Sequence, residues 1–210
     1  MNRNSQPRDT RERVRLARQE AYRDAILEAA ERIFAGRGFG AAKVQEIAEA
    51  AGVATGTVYA IFPGKRELYR AVHRRNLDEL AKRYAEVPSE GSCRELLLGR
   101  VEAAARFLTE RPHYLRVYLR EAGRWGFDSS ELPADATAFI DADLYRRGVE
   151  ERELVDEDPE LLQSLAMSAN QVFFHHWQKT GMREPADALI ERLRAHYRRA
   201  IFRSPPPTEA

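Results

Sequence analysis

The segment VQEIAEAAGVATGTVYAIF, residues 44–62, limits what this chain can fold into more than any other. Its first part carries Val44, Ile47, Ala48 and Ala51 at helical spacing, so a short helix over KVQEIAEAAG buries one face. Its second part, GVATGTVYAIF, holds no charged residue in a chain that is 32% Asp, Glu, Lys and Arg. By composition that run reads as a buried strand, because β-branched and aromatic side chains suit a pleated surface. Its neighbours argue for a helix. Only AGV separates it from the helix before, and PGK supplies a turn after it, with Pro early and Gly later. A two-turn helix fits the interval. Two short helices joined by a Gly-bearing turn of this length make a helix-turn-helix, whose second helix enters the DNA major groove.

Helical periodicity continues on both sides. Arg11 to Gly36 sets Tyr22, Ile26, Ala30 and Ile33/Phe34 on one face, and Gly36 and Gly38 are the expected stop. Further helices are expected over about 66–87, with Leu68, Val72, Leu80 and Tyr84 inward, then over 92–111 and through HYLRVYLREAG. Pro112 must stand outside a helix or in its first turn. RWGFDSSELP reads as a loop and ADATAFIDADLYRRGVEER as helix. Residues 159–179 carry Leu161, Leu165, Met167, Ala169, Val172, Phe173, Phe174 and Trp177 on more than one face, as expected of a helix that buries against more than its own domain. A last helix, about 186–202, has a stripe of Leu189, Leu193, His196/Tyr197 and Ala200/Ile201. No segment reads convincingly as a strand, so the expected class is all-α.

Charge separates along the chain although the total is only +1. Residues 1–75 hold 15 Lys/Arg against 9 Asp/Glu, a net +6, and the remainder holds 19 against 24, a net −5. A basic N-terminal third suits either a polyanionic partner, through counterion release, or a solvated surface. Arginines 3, 8, 11, 13, 15 and 18 form a basic arm, disordered or partly helical, which either reaches into a minor groove or is solvated. A single cysteine, Cys93, makes no internal disulfide and has no partner thiol for redox sensing. With no secretory signal and no apolar run long enough to span a bilayer, the expected location is cytoplasmic, without membrane attachment.

AILEAAERIFAGRGFGAAKVQEIAEAAGVATGTVYAIFPGKRELYRAV resembles the N-terminal DNA-binding domain of the tetracycline-repressor (TetR) family of bacterial transcriptional regulators. AILEAA, GFG, IAEAAGV, GTVY, F, then K and L recur in that order. The resemblance implies an N-terminal three-helix helix-turn-helix domain (21–68) behind the arm (1–20), then a larger helical ligand-binding and dimerisation domain (69–203) and a disordered tail (204–210). It implies that positions matching Thr55, Gly56, Thr57, Tyr59, Ala60 and Ile61 face DNA, and that the one matching Lys65 meets a phosphate. The side chains suit these roles. Gly56 permits close backbone approach, Thr55 and Thr57 offer hydroxyls, Tyr59 a phenol, and Ala60 and Ile61 apolar contact with a thymine methyl. Lys43, in a first helical turn that disfavours a cation, is explained by a nearby phosphate, and Gln45 reaches backbone or base. Blander readings stand beside these, with Tyr59 as a core aromatic and Lys43 and Lys65 as solvated lysines. Ala42 and Ala54 stand where relatives commonly place Thr or Ser as helix caps, a loss of about 0.5 to 2 kcal/mol each.

The resemblance further implies double-stranded operator DNA and a small-molecule effector as partners, and a homodimer through the last two helices. Effector binding would move the helix after Lys65 and change the separation of the two recognition helices. Candidate lining residues are Phe107, Tyr118, Trp125, Phe139, Asn170, Phe174 and Trp177, aromatics with a few polar groups. The same residues suit an ordinary core, and Trp177 or Phe173 suits the dimer interface. No metal or other cofactor is expected, since adjacent His175 and His176 diverge on a helix and no ligand-spacing motif is present. Asp141 and Asp143 point to different helix faces, and no set of nucleophile, base and orienting groups can be assembled. The expected function is a transcriptional repressor, not an enzyme. The alternatives are an all-α enzyme with an appended DNA-binding module, or a regulator controlled by a protein partner or by no effector.

Overall fold

The computed structural model describes residues 6–122 and 142–203. They form helices α1 (Gln6–Ala41), α2 (Val44–Ala50), α3 (Thr55–Ile61), α4 (Lys65–Ala85), α5 (Cys93–Glu110), α6 (Pro112–Ala122), α7 (Ala142–Glu150), α8 (Pro159–Lys179) and α9 (Ala186–Ala200). Among the described residues there is no strand, only an isolated antiparallel bridge between Leu154 and Phe202. The fold is all-α, as the periodicity predicts. The chain divides into two compact units, Met1–Arg75 and Asn76–Ala210, with the division inside α4.

In the first unit α1 packs on α2, and α2 on α3. Ile26, Ala30, Phe34, Ile47, Ala48, Val58, Phe62, Leu68 and Val72 form its core. The ring of Tyr69 meets Phe34 edge-on at 5.0 Å, and Arg75 pairs with Glu31 at 2.9 Å. Helix α1 starts at Gln6, five residues before the Arg11 start expected, so the basic arm is helical from there on. At its other end Gly36 stays helical and Gly38 breaks the helix, with φ 76 and ψ 164.

In the second unit α5 packs on α6, α7 and α9, and α8 on α6, α7 and α9. Ser92 and Glu95 close a capping box at the start of α5. The Glu153 carboxylate accepts from the backbone N–H groups of Cys93 and Arg94 at 2.9 and 3.0 Å, satisfying two donors that the helix itself cannot. Asp158 caps α8 ahead of Pro159, and Pro112 is the first residue of α6, where its missing N–H is harmless. At Gly148 α7 lies tight against its neighbours, because a Cβ there would overlap Cys93 Sγ of α5 and lie 2.6 Å from Leu154 Cγ. Trp125, Phe139 and Asp141, the RWGFDSSELP loop, the first part of the helix expected before residue 142 and the Pro-rich tail lie outside the described residues.

Candidate nucleic-acid interface

The turn between α2 and α3 is built by hydrogen bonding. Gly52 N donates to Glu49 O at 3.1 Å and Val53 N to Ala48 O at 3.0 Å, the paired bonds of a Schellman motif. Gly52 occupies the left-handed position this motif needs, with φ 68. Helix α3 then starts from Ala54 in extended conformation, with no side-chain cap. Helix α2 also lacks one. Its N-cap is Lys43, with φ −110 and ψ 137, rather than Ala42, which is buried. This corrects two expectations, that Ala42 is the cap and that Lys43 lies in the first turn. The Ala42 methyl belongs to the core, and the chain enters the helix one residue later.

Val58 and Phe62 are 1% and 3% exposed, which fixes the rotation of α3. Its opposite side turns outward, with Gly56, Tyr59 and Ala60 exposed and Thr55, Thr57 and Ile61 half-exposed. Tyr59, 48% exposed, is not a core aromatic. A side chain added at Gly56 would enter open space. Lys43 and Gln45 at the start of α2 are exposed as well. Lys65 is engaged differently. Its Nζ donates to the carbonyls of Gly40 and Ala42 at 3.1 and 3.0 Å and lies 4.7 Å from the centre of the Phe39 ring. The ammonium thus ties the start of α4 to the end of α1 and the loop before α2. Arg37 and Glu46, paired at 2.7 Å, tie α1 to α2 from another side.

An open groove of about 410 Å³ runs between α1 and α3. Arg15, Arg18, Gln19 and Tyr22 form one wall, and Gly56, Thr57, Ala60 and Ile61 the other. Tyr22, expected on the buried face of α1, is half-exposed instead, and its hydroxyl accepts from Arg18 Nη2 at 2.7 Å. Gln19 and Tyr22 are not among the expected site residues. The i, i+3, i+4, i+7 spacing of residues 15, 18, 19 and 22 marks a single helix face, which is the signal that points to them.

Of the expected effector-site residues in the second unit, Phe107, Phe174 and Trp177 are buried, and Tyr118 and Asn170 are half-buried. Trp177 Nε1 donates to Glu184 O at 2.8 Å. The Tyr197 hydroxyl donates to Ala166 O at 3.1 Å and lies 3.2 Å from Asn170 Oδ1. Burial raises the phenols of Tyr118, Tyr145 and Tyr197, so this interior holds neutral hydrogen-bonding groups. Burial likewise pushes the Cys93 thiol up to about 11, and its Sγ donates to Leu144 O at 3.3 Å, an environment opposite to that of a reactive thiolate.

A short helix, a Gly-centred turn and a second short helix with its outward side uncharged define a helix-turn-helix domain. Residues 26–72 match the sequence pattern of bacterial regulatory proteins of the tetR family. The chain is 34% identical over 112 residues to the HTH-type transcriptional repressor KstR2 of Mycolicibacterium smegmatis, covering 53% of each chain. It is 46% identical over 66 residues to the HTH-type transcriptional activator FasR of the same organism, covering 31% of this chain and 30% of that one. The chain therefore spans about half the length, or less, of these curated relatives. The structure of the ketosteroid transcriptional regulator KstR2 of Mycobacterium tuberculosis superposes with a TM-score of 0.67 at 25% identity, over 87% of this chain and 95% of that one. No helix among the described residues is long and apolar enough to cross a membrane.

Proposed function

We propose that this protein is a sequence-specific DNA-binding transcriptional regulator, a homodimeric repressor that a small molecule releases from its operator. The observation that carries the reading is the outward side of α3, which presents hydroxyls, methyls and one phenol without a charge, in a unit of net +6. Such a side chain set reads base edges, while surrounding cations meet phosphates. Thr55, Gly56, Thr57, Tyr59, Ala60 and Ile61 are the proposed groove-facing residues, with Lys43 and Gln45 beside them. Lys65 acts from within, holding α2 in place through the Gly40 and Ala42 carbonyls.

A two-fold dimer must hold its recognition helices about 34 to 36 Å apart to meet successive major grooves. Effector binding in the second unit, among residues such as Phe107, Tyr118, Asn170, Phe174 and Trp177, would change that separation and weaken binding. The match to FasR, an activator by name, supports a second reading in which the bound protein raises transcription. Selection of bound sequences from a random duplex pool tests the common core. Enrichment of a two-half-site motif is expected, with affinity that falls steeply with salt. Thr55→Ala should change base preference at one position by about 1 to 3 kcal/mol of discrimination. A pool that emerges unenriched would defeat the proposal. Repeating the binding measurement against a compound library then separates effector control from its absence.

A further inference from the structure

We propose that the groove between α1 and α3 seats the sugar-phosphate backbone of one DNA strand, held by Arg15 and Arg18, so that the N-terminal part of α1 is a rigid phosphate clamp. The inference rests on the DNA-binding reading above and adds a second set of contacts to it. The groove has two unlike walls. On α1 stand two guanidiniums, the Gln19 amide and the Tyr22 phenol, and on α3 stand Thr57, the bare backbone of Gly56 and the apolar side chains of Ala60 and Ile61. The cationic, donor-rich α1 wall suits a phosphodiester, because arginines supply charge-assisted bonds to phosphate oxygens, while the α3 wall, with its hydroxyl and methyls, stays with the adjoining bases. The groove is open to solvent.

The arginines are placed for this work. Arg18 donates to the Tyr22 hydroxyl through Nε and Nη2 at 2.9 and 2.7 Å, and its guanidinium lies 5.2 Å from the centre of that ring. The hydroxyl of Tyr22 orients the guanidinium along the wall, and no carboxylate takes part in that contact. Arg15 pairs with Glu12 at 2.8 Å, but both side chains are well exposed, at 66% and 60%. Exposed pairs of this kind contribute about 0 to 1 kcal/mol, so a phosphate can take the Glu12 carboxylate's place. The two arginines stand three residues apart, a rise of about 4.5 Å, close enough to serve neighbouring phosphates of one strand. Because this part of α1 is already helical, little conformational entropy is lost when the contact forms. The clamp acts on the strand beside the recognition helix and differs from the extended minor-groove arm that the basic N-terminus by itself suggests.

The test is the salt dependence of binding to the selected duplex and to random duplex, for the wild-type chain, R15A/R18A, and R15K/R18K. Both residues are exposed, so helicity by circular dichroism should be unchanged in each variant. R15A/R18A should lose affinity on the order of tenfold or more at 0.1 M salt on both duplexes, keep the ratio between them, and flatten the log–log salt slope by about 2 per bound chain. R15K/R18K should restore most of that slope. Unchanged affinity and slope in R15A/R18A overturns the clamp while leaving the DNA-binding reading intact. A lost ratio with an unchanged slope also overturns it, because Arg15 and Arg18 would then read bases. Failure of the wild-type chain to prefer any duplex defeats the underlying reading itself.

Discussion

His73 lies on α4 within the first unit, 2% exposed, with its ring edge-on to Tyr69 at 4.6 Å between centres. Burial lowers its pKa from 6.5 to about 4, so the imidazole is neutral in the fold at any pH near 7. The sign of the pH effect follows. Above pH 6.5 folded and unfolded chains are both neutral at this position and the stabilisation is complete. As pH falls from 6.5 towards 4, the unfolded chain takes up a proton that the folded chain refuses, and stability drops by on the order of 3 kcal/mol in all. Denaturant unfolding across that range should show His73→Gln losing less stability than wild type, a difference of about one proton in slope. Equal slopes would show that His73 does not titrate as described. Single residues also show the limits of sequence reading. Gly52 was legible as the glycine of the turn that joins two short helices. The carbonyl partners of Lys65 were not, because they lie 25 and 23 residues back in the chain.

Helix α3 is seven residues long and starts from an alanine. An Ala N-cap leaves the first N–H groups without a side-chain acceptor, and α2 likewise lacks a side-chain cap at Lys43. Ala54→Ser supplies that acceptor and should stabilise α3 by about 1 kcal/mol. Amide exchange of the α3 residues in the free protein should slow by roughly fivefold; faster or unchanged exchange would mean that the introduced hydroxyl does not cap. Elements were the scale at which sequence reading succeeded best. The interval for α3, the helical start at Pro159 and the first-turn position of Pro112 all follow from local rules. The extent of α1 did not, because arginine-rich sequence without an apolar stripe gives periodicity nothing to register.

At the scale of the whole molecule, α8 carries two unlike faces. Leu162, Ala166, Phe174 and Trp177 are buried in the second unit, while Leu161, Leu165 and Val172 are 46%, 51% and 66% exposed. Their i, i+4, i+11 spacing marks a single helix face, the kind a second copy of the chain would cover in the proposed dimer. Leu165→Glu with Val172→Glu should convert a dimer to a monomer in sedimentation equilibrium. It should also reduce operator affinity towards that of an isolated half-site. A wild-type chain that sediments as a monomer at micromolar concentration would count against the dimer, and a double variant that stays dimeric would move the interface elsewhere.

The sequence by itself determined the class and the helical order, because each depends on spacing along a few turns and on local turn chemistry. The rotation of α3 is set by the burial of Val58 and Phe62. Tertiary structure alone decided that Tyr22 leaves the core face, that Ala42 is drawn into the core so that Lys43 caps α2, and that Arg15 and Arg18 stand across a groove from Gly56 and Thr57. These outcomes depend on side chains roughly 20 to 40 positions apart, brought together by how helices pack, and local periodicity carries no information about them.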